Sequence, residues 1–228
     1  MKIIFYGDPH KNFEPLFQAV ENHHPEAVII VGDFELDKPL DVVLSPILNR
    51  VKLYYIHGNH DTDTNSYFNN LFNSRLASRN ISGKVVEIAG IRVAALGGVF
   101  RGKIWSPPQD IVWHDRETYM RFQPSSVKKE SQKFGGLPRT HNSTIWPGDY
   151  EALAKESADI LVVHEAPTSM KFGFEAIDDL AFSLGVSHVF HGHHHQQYQD
   201  VLTRGDEVVT VEGIGLAMCK DEMGNTVE

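Results

Sequence analysis

Residues 2–10, KIIFYGDPH, set the pattern of the chain: a short apolar run that ends on side chains able to bind metal. The same order recurs in AVIIVGD (27–33), LYYIHGNH (53–60), DILVVH (159–164) and SHVFHGH (187–193). Runs of this length, rich in β-branched and aromatic residues, predict short strands that are buried on both faces. In such α/β sheets ligands bind beyond the carboxyl ends of the strands. The polar residues that follow the five strands are therefore expected to meet in one crevice.

The residue types at these strand ends indicate a metal site. They are two carboxylates, one carboxamide and four imidazoles: Asp8, His10, Asp33, Asn59, His164, His191 and His193. Because no thiolate is among them, the set suits a pair of borderline divalent ions better than a structural cysteine site or an oxygen-only calcium cage. Two ions about 3.5–4 Å apart can share a bridging hydroxide as nucleophile and neutralise charge on a phosphoryl group. The sequence therefore predicts a two-metal centre that hydrolyses a phosphate ester.

Five short motifs carry a family resemblance. In chain order they are GDPH, GDFE, GNHD, VVHEAP and HGHHH, and together they extend from Asp8 to His195. One such motif alone is a weak signal, but five in this order, each at a strand end, resemble the signature of the calcineurin-like metallophosphoesterases. The resemblance implies an α/β fold of two packed mixed β-sheets flanked by helices, a four-layer sandwich. It also implies that residues 1–228 form a single metallophosphoesterase domain.

The resemblance further implies a role for each strand-end residue. Those that would hold one metal ion, with Asp33 bridging to the other ion, are Asp8, His10, Asp33 and His193. Those that would complete the second ion's ligands are Asn59, His164 and His191. His60 is not a ligand in this family, and is expected to donate a proton to the leaving oxygen or to stabilise charge in the transition state.

Two positions depart from the family pattern. The family usually has GDxHG in the first motif and GDxxD in the second, whereas this chain has Lys11 after His10 and Leu36 three residues past Asp33. In many members the missing aspartate hydrogen-bonds the GNHD histidine and orients it. Glu35 and Asp37 are the two residues that stand near enough in sequence to replace it.

The composition is that of a soluble enzyme domain. The 228 residues are 41% hydrophobic and carry a net charge of −9, which argues against a protein that coats nucleic acid. No apolar run approaches the roughly 20 residues that span a bilayer. The single cysteine, Cys219, cannot form an intrachain disulfide. We therefore expect a cytoplasmic protein that does not bind membranes.

Apolar spacing predicts the elements between the strands. Residues Phe13, Leu16 and Val20 lie on one face of a helix that runs from the cap residue Asn12 to about residue 23. A second helix is expected over 40–47, disturbed by Pro46. Two hairpins are predicted, with turns at residues 90 and 205. These elements fit a βαβ order that continues into an antiparallel tail.

The segment 101–148 breaks this order and is predicted to be an irregular insertion. It holds all three tryptophans and five of the eleven prolines, and its eight basic and four acidic residues give it a net charge of +4. A basic, aromatic flap can clamp phosphate through arginine and stack a ring on tryptophan. Arg139 and His141 are the candidate substrate-binding residues. The alternative is a surface excursion whose tryptophans only anchor it to the core.

Three classes of function are compatible with these features. The leading hypothesis is a phosphoesterase that uses two Mn, Fe or Zn ions on a small phosphorylated molecule or nucleotide. A nuclease or phosphodiesterase on nucleic acid fits the basic insertion but not the overall acidity. A catalytically silent scaffold on the same fold fits only the absent GDxxD aspartate. Protein phosphatase activity is a weaker alternative, and the sequence fixes neither monoester nor diester, nor the metal, nor the oligomeric state.

Overall fold

A computed structural model of the chain describes residues 2–228. The apolar runs form strands, each of them short because a glycine or polar residue follows. The strands are β1 (Ile3–Tyr6), β2 (Ala27–Ile30), β3 (Lys52–Tyr55), β4 (Lys84–Ile88), β5 (Ile91–Leu96), β6 (Ile160–Val163), β7 (His188–His191), β8 (Tyr198–Arg204), β9 (Glu207–Gly213), β10 (Cys219–Asp221) and β11 (Thr226–Val227).

The strands form two mixed sheets. In the first, of order β11-β10-β1-β2-β3, the strands β1, β2 and β3 are parallel and the other two pair antiparallel. In the second, of order β4-β5-β6-β7-β9-β8, the four inner strands are parallel and the two outer strands are antiparallel to their neighbours. The five motifs follow β1, β2, β3, β6 and β7, which are all parallel strands. Their carboxyl ends are the place where an α/β sheet binds its ligand.

The two sheets pack face to face through an apolar layer. Successive residues of a strand point to opposite faces, so Ile3 and Phe5 face the other sheet while Ile4 and Tyr6 face the helices. Phe5 stacks on Phe190 of β7 with the ring centroids 3.9 Å apart. An aromatic pair of this kind contributes about 0.5–1.5 kcal/mol beyond the area that it buries. This layer fixes the motif-bearing strands of the two sheets against each other.

Helices cover the outer faces of both sheets. The helices of the described chain are α1 (Glu14–His23), α2 (Leu40–Val43), α3 (Asn65–Phe72), α4 (Arg116–Arg121), α5 (Ser125–Ser131), α6 (Pro147–Leu153) and α7 (Glu175–Leu184), of which α4 and α5 belong to the insertion. Apolar residues of α1, α2 and α3 pack on the first sheet, and those of α6 and α7 pack on the second. The predicted class, two packed mixed sheets flanked by helices, is confirmed. Within residues 2–228, none of the helices has the length and apolar character needed to cross a bilayer.

Two helix boundaries differ from those predicted. α1 begins at Glu14 rather than directly after Asn12, and its first turn contains Pro15 and has no side-chain cap. α2 ends at Val43, well before Pro46. In both places proline decides the boundary, because its fixed φ suits a first turn and it cannot donate a hydrogen bond inside a helix.

The predicted irregular insertion over 101–148 is present and has a small core of its own. Ile104, Leu137 and Trp146 are buried together, and Trp105 and Trp113 pack against them. α4, α5 and two 3-10 turns are the regular elements of its interior. The tryptophans therefore pack in the core of the insertion, and Trp105 also packs against the core of the second sheet.

Candidate metal centre

The loops that follow the motif-bearing strands have a strained backbone. Among the ten described non-glycine residues with positive φ, seven lie in these loops: Asp8, His10, Lys11, Asp33, Glu35, His193 and His195. Such a conformation costs a non-glycine residue of order 1–3 kcal/mol and persists only where the surrounding structure enforces it. Strain of this kind clusters at functional sites. It is concentrated here where the polar side chains of the motifs converge.

One group of side chains gathers around His10. Its Nε2 lies 2.9 Å from His195 Nε2 and 3.9 Å from Asp33 Oδ2. Asp8 Oδ2 lies 3.9 Å from the same nitrogen of His195. Glu35 Oε1 lies 2.9 Å from His10 Nδ1, and this contact orients the ring so that Nε2 points toward the other side chains. Two carboxylates and two imidazoles thus surround one point.

A second group gathers around His164. Its Nδ1–H donates a hydrogen bond of 2.8 Å to the carbonyl of Val31, which fixes the ring with Nε2 turned toward the other side chains of the group. This Nε2 lies 3.1 Å from Asn59 Oδ1 and 3.2 Å from Asp33 Oδ2. His193 joins the group, since ligand atoms of His193, His164 and Asp33 lie within 4.8 Å of one another. Asp33 therefore belongs to both groups and stands between them.

The carboxylate oxygens at the centre of the two groups have no protein partner. Both side-chain oxygens of Asp8 and Oδ2 of Asp33 are buried without a hydrogen bond from any residue in 2–228. Burial raises the pKa of Asp8 to about 7. Buried carboxylates without donors are costly unless they are paired or coordinate a metal. A divalent cation supplies what these oxygens lack, so the residues fit a metal centre.

The histidines of the site differ in protonation. Burial alone would lower the pKa of His164, but the charges of Asp33 and Asp8 outweigh burial and raise it to about 10. For Asp33, burial alone would raise the pKa, but the nearby positive charge of His164 holds it below the usual range. Burial lowers the pKa of His193 to about 3, so that ring is neutral. Because an imidazole ligand must be unprotonated, a bound divalent ion would displace the proton of His164 and take its place beside Asp33.

The structure groups the residues of the histidine-rich segment differently from the sequence-based prediction. His191 is the last residue of β7, and its Nε2 lies 2.7 Å from the Tyr198 hydroxyl while its Nδ1 lies 3.0 Å from the carbonyl of Gly192. Both ring nitrogens of His191 are thus engaged away from the two groups. His193 lies with the second group instead of the first, and His195 takes the place predicted for His193. His191 differs from the site residues because it still lies within β7, whereas they lie in the loops after the strands.

Asp61 holds the loops of the first sheet together. Its carboxylate accepts hydrogen bonds from the backbone N–H groups of Asp33 (3.1 Å), Phe34 (2.8 Å) and Gly58 (2.8 Å). The loop after β3 is thereby joined to the loop after β2. A Cβ at Gly58 would overlap Asp33 Oδ1, so only glycine allows the two loops to approach this closely.

His60 borders the first group and is oriented by a carboxylate. Its ring centroid lies 5.5 Å from that of His10, and its backbone N–H donates a 2.8 Å hydrogen bond to Asp33 Oδ1. Its Nδ1 lies 2.6 Å from Asp63 Oδ2. Burial favours a lower pKa for His60, but the hydrogen bond to Asp63 and the nearby carboxylates outweigh it and raise the pKa. Asp63 therefore stands in the position relative to His60 that was expected of the GDxxD aspartate.

Neither residue predicted to replace that aspartate does so. Glu35 bonds His10, and Asp37 forms an ion pair of 3.0 Å with Lys11. Asp63 was missed because it lies three residues past His60 on the same helical turn, outside the motif where the family carries its aspartate. The i,i+3 spacing is the signal that could have identified it.

Replacing Asp63 with Asn is expected to lower kcat by about 10- to 100-fold and to leave the metal content unchanged. The reason is that His60 loses the acceptor that orients its ring. The loss should be larger for phenyl phosphate than for p-nitrophenyl phosphate, because the poorer leaving group depends more on proton donation. Asp37→Asn is the matched control and should stay within about twofold of the native rate. Equal losses for both variants, or for both substrates, would contradict the assigned role of Asp63.

The structure does not place Arg139 and His141 against the two groups. The Arg139 guanidinium donates hydrogen bonds of 2.8 Å to the carbonyls of Thr62 and Asp63, and it also bonds the Asn65 side chain. His141 is buried with its Nδ1 3.2 Å from the Thr144 hydroxyl, and burial lowers its pKa to about 4. Arg139 thus braces the loop that carries His60, and His141 is part of the core of the insertion.

A sheet sandwich with carboxylates and imidazoles gathered at its strand ends is the arrangement of a metal-binding phosphoesterase. The sequence model of the calcineurin-like phosphoesterase family matches residues 1–197, and the chain belongs to that family. The predicted family resemblance is confirmed. Its members are typically metal-dependent, which agrees with the fit between the residues of this site and a divalent cation.

Relatives extend over nearly the whole chain. An uncharacterised protein of Haemophilus influenzae is 37% identical over 223 residues, which cover 98% of this chain and 95% of that protein. The crystal structure of TT1561 of Thermus thermophilus is 15% identical, with a TM-score of 0.55 over 98% of this chain and 96% of that one. The phosphopantetheinyl hydrolase of Mycobacterium tuberculosis is 14% identical, with a TM-score of 0.49 over 95% and 90% of the two chains. The likeness to TT1561 concerns the fold alone.

Proposed function

We propose that this protein uses two divalent metal ions to hydrolyse a phosphate monoester or diester of a small molecule or nucleotide. The observation that carries the proposal is the pair of buried carboxylates, Asp8 and Asp33, which have oxygens without an assigned hydrogen bond next to imidazoles. Membership of a phosphoesterase family supports the reaction class. The number of ions rests on the position of Asp33 between two groups of side chains.

The two groups divide the proposed ligands between the ions. One ion would be held by Asp8, His10, Asp33 and His195. The other would be held by Asp33, Asn59, His164 and His193. A set of imidazoles and carboxylates without thiolate suits Mn, Fe or Zn. When bound, the ions supply Lewis acidity, which activates water and neutralises charge on the phosphoryl group.

His60 is proposed to hold the proton that the leaving oxygen receives. Asp63 occupies the Nδ1 side of the ring, so the proton available to substrate is the one on Nε2. The raised pKa of His60 keeps this proton in place to higher pH than an ordinary histidine would. Partial exposure of the side chain lets a substrate reach it. A general acid in this position contributes typically about 10²- to 10⁴-fold to a reaction rate.

A small substrate agrees best with the charge of the molecule. The net charge of −9 repels a long polyanion, and phosphate contacts along nucleic acid need many basic side chains. The excess of basic residues is confined to 101–148, where Arg139 and Arg116 are already paired within the protein. We therefore propose a small phosphorylated molecule or nucleotide ahead of nucleic acid.

Metal-stripped protein should hydrolyse no chromogenic phosphate ester, and Mn, Zn or Fe added back should restore turnover. The measurement is the release of p-nitrophenol from p-nitrophenyl phosphate and from bis-p-nitrophenyl phosphate, with each metal in turn. The preferred ester separates monoester from diester hydrolysis. Metal binding without turnover of any phosphate ester, including a panel of nucleotides and sugar phosphates, would contradict the proposed activity and favour a silent scaffold.

A further inference from the structure

Arg101 is a rigidly held cation at the start of the insertion. Its backbone N–H donates a 2.9 Å hydrogen bond to the carbonyl of Trp105, and its own carbonyl accepts one of 2.8 Å from Ile104. This closed turn follows β5 and fixes the point from which the Arg101 side chain leaves the backbone. Together with the hydrogen bond from Nη2 to Ser143 Oγ, this turn restricts the side chain before a ligand binds.

The side chain of Arg101 is connected to the loop that carries Asn59. Its Nη2 donates a 3.3 Å hydrogen bond to Ser143 Oγ, which lies 2.6 Å from Thr62 Oγ1. Thr62 Oγ1 in turn donates to the carbonyl of Asn59 at 3.2 Å. On the other side, the backbone N–H of Phe100 donates to Glu165, the residue after His164. Arg101 therefore lies between the loop after β3 and the loop after β6, at the border of the metal centre.

Part of the Arg101 guanidinium has no partner within the protein. Its Nε is buried and makes no hydrogen bond with any residue in the described part of the chain, 2–228. Burial lowers the pKa of Arg101, while the carboxylates of Asp63, Asp33 and Glu165 act on it in the opposite direction. The cation thus lies in the electrostatic field of the site. A buried donor without an acceptor is costly, so its retention points to an acceptor that arrives with a ligand.

We infer that Arg101 binds a terminal phosphoryl oxygen of the substrate and makes the site selective for phosphate monoesters. The inference rests on the proposed function and adds the substrate class. The fork formed by Nε and a terminal nitrogen of arginine matches the spacing of two oxygens on phosphate. No other basic residue of the insertion has a buried nitrogen without a partner within residues 2–228.

The number of terminal oxygens separates the two classes of ester. A phosphate monoester has three terminal oxygens and up to two negative charges, whereas a diester has two terminal oxygens and one charge. Two ions and the groups around them can engage two terminal oxygens of either ester. Only the monoester offers a third oxygen and a second charge to Arg101. Loss of the guanidinium should therefore weaken monoester binding more than diester binding.

The test compares Arg101→Gln with the native protein, both loaded with Mn. Calorimetry with inorganic phosphate should show an affinity about 10- to 100-fold lower in the variant, since a charge-assisted hydrogen bond is lost. With dimethyl phosphate, which has two terminal oxygens, the affinity should change by less than about threefold. The ratio of kcat/KM for p-nitrophenyl phosphate to that for bis-p-nitrophenyl phosphate should fall by the same factor as the phosphate affinity.

Two further variants separate binding from a structural effect. Arg121→Gln changes an exposed arginine of the same insertion and should leave both affinities as they are. Ser143→Ala removes the contact of Arg101 with the hydroxyl network but keeps the guanidinium. If Ser143→Ala reproduces the whole loss, Arg101 acts through the loop and the inference is overturned.

Other outcomes also decide the inference. Unchanged phosphate affinity in Arg101→Gln, an equal loss for phosphate and dimethyl phosphate, or no phosphate binding by the native protein would each overturn it. Absence of ester hydrolysis by the native protein would instead overturn the proposed function. The phosphate affinities would still report on Arg101 in that case.

Discussion

Asp33→Asn is expected to reduce metal-dependent hydrolysis of p-nitrophenyl phosphate by about 10³-fold or more in kcat/KM. Asp33 is the one carboxylate that belongs to both groups, with Oδ2 3.9 Å from His10 Nε2 and 3.2 Å from His164 Nε2. An amide in its place keeps an acceptor for the backbone N–H of His60 but carries no charge. The fold should persist while the affinity for both ions falls.

Asp206→Asn is the matched control for this prediction. Asp206 lies exposed in the turn between β8 and β9, outside all five motifs, and its replacement should keep kcat/KM within about twofold. Unfolding by urea should be similar for the native protein and both variants at a given metal loading. If Asp33→Asn retains native turnover with native metal content, Asp33 does not join two ions and the proposed centre is wrong.

His195→Gln is expected to remove one bound ion and to lower kcat/KM by about 10²- to 10³-fold, whereas His191→Gln should leave the metal content unchanged. His195 Nε2 lies 2.9 Å from His10 Nε2, at the centre of the first group. His191 is instead bonded to the Tyr198 hydroxyl, so its loss should appear as about 1–3 kcal/mol of unfolding free energy. Metal content by mass spectrometry and urea unfolding measure the two effects.

The pair of variants separates the structural grouping from the one predicted by sequence. Under the sequence-based grouping, His191→Gln would lose an ion and His195→Gln would not. That pattern of metal loss would refute the grouping around His10 and His164. Loss of both ions in His195→Gln would show that the two groups bind cooperatively, and the sites would then have to be separated by titration.

The strand-end rule explains how much of the site the sequence predicted. Hydrophobic runs fix where strands lie, and parallel strands leave their carboxyl ends at a common edge. The structure accordingly brings Asp8, His10 and Asp33 together, as predicted from the ends of β1 and β2. The helices were predicted with boundary errors where proline overrides apolar spacing. The fold class could be predicted because it depends only on the period and the order of the hydrophobic runs.

The parts of the site that were not predicted depend on three-dimensional geometry, which short sequence motifs do not specify. In HGHHH the first histidine ends β7 and the other three follow within four residues, so the site histidines can be told apart only once the end of the strand is known. Asp63 acts through a helical turn, not through a motif. In the insertion, Arg139 was predicted to bind substrate as an arginine in a tight loop, beside Gly135, Gly136 and Pro138, but its guanidinium donates to backbone carbonyls. Arg101 has the same charge and is distinguished only by a buried nitrogen without a partner.

Anomalous X-ray scattering from crystals of Mn-loaded protein tests the central claim most directly. We expect two peaks, one on each side of the Asp33 carboxylate and about 3.5–4 Å apart. The first peak should be bounded by Asp8, His10 and His195, and the second by Asn59, His164 and His193. A single peak, or a peak bound by His191 in place of His195, would contradict the two-ion centre described above.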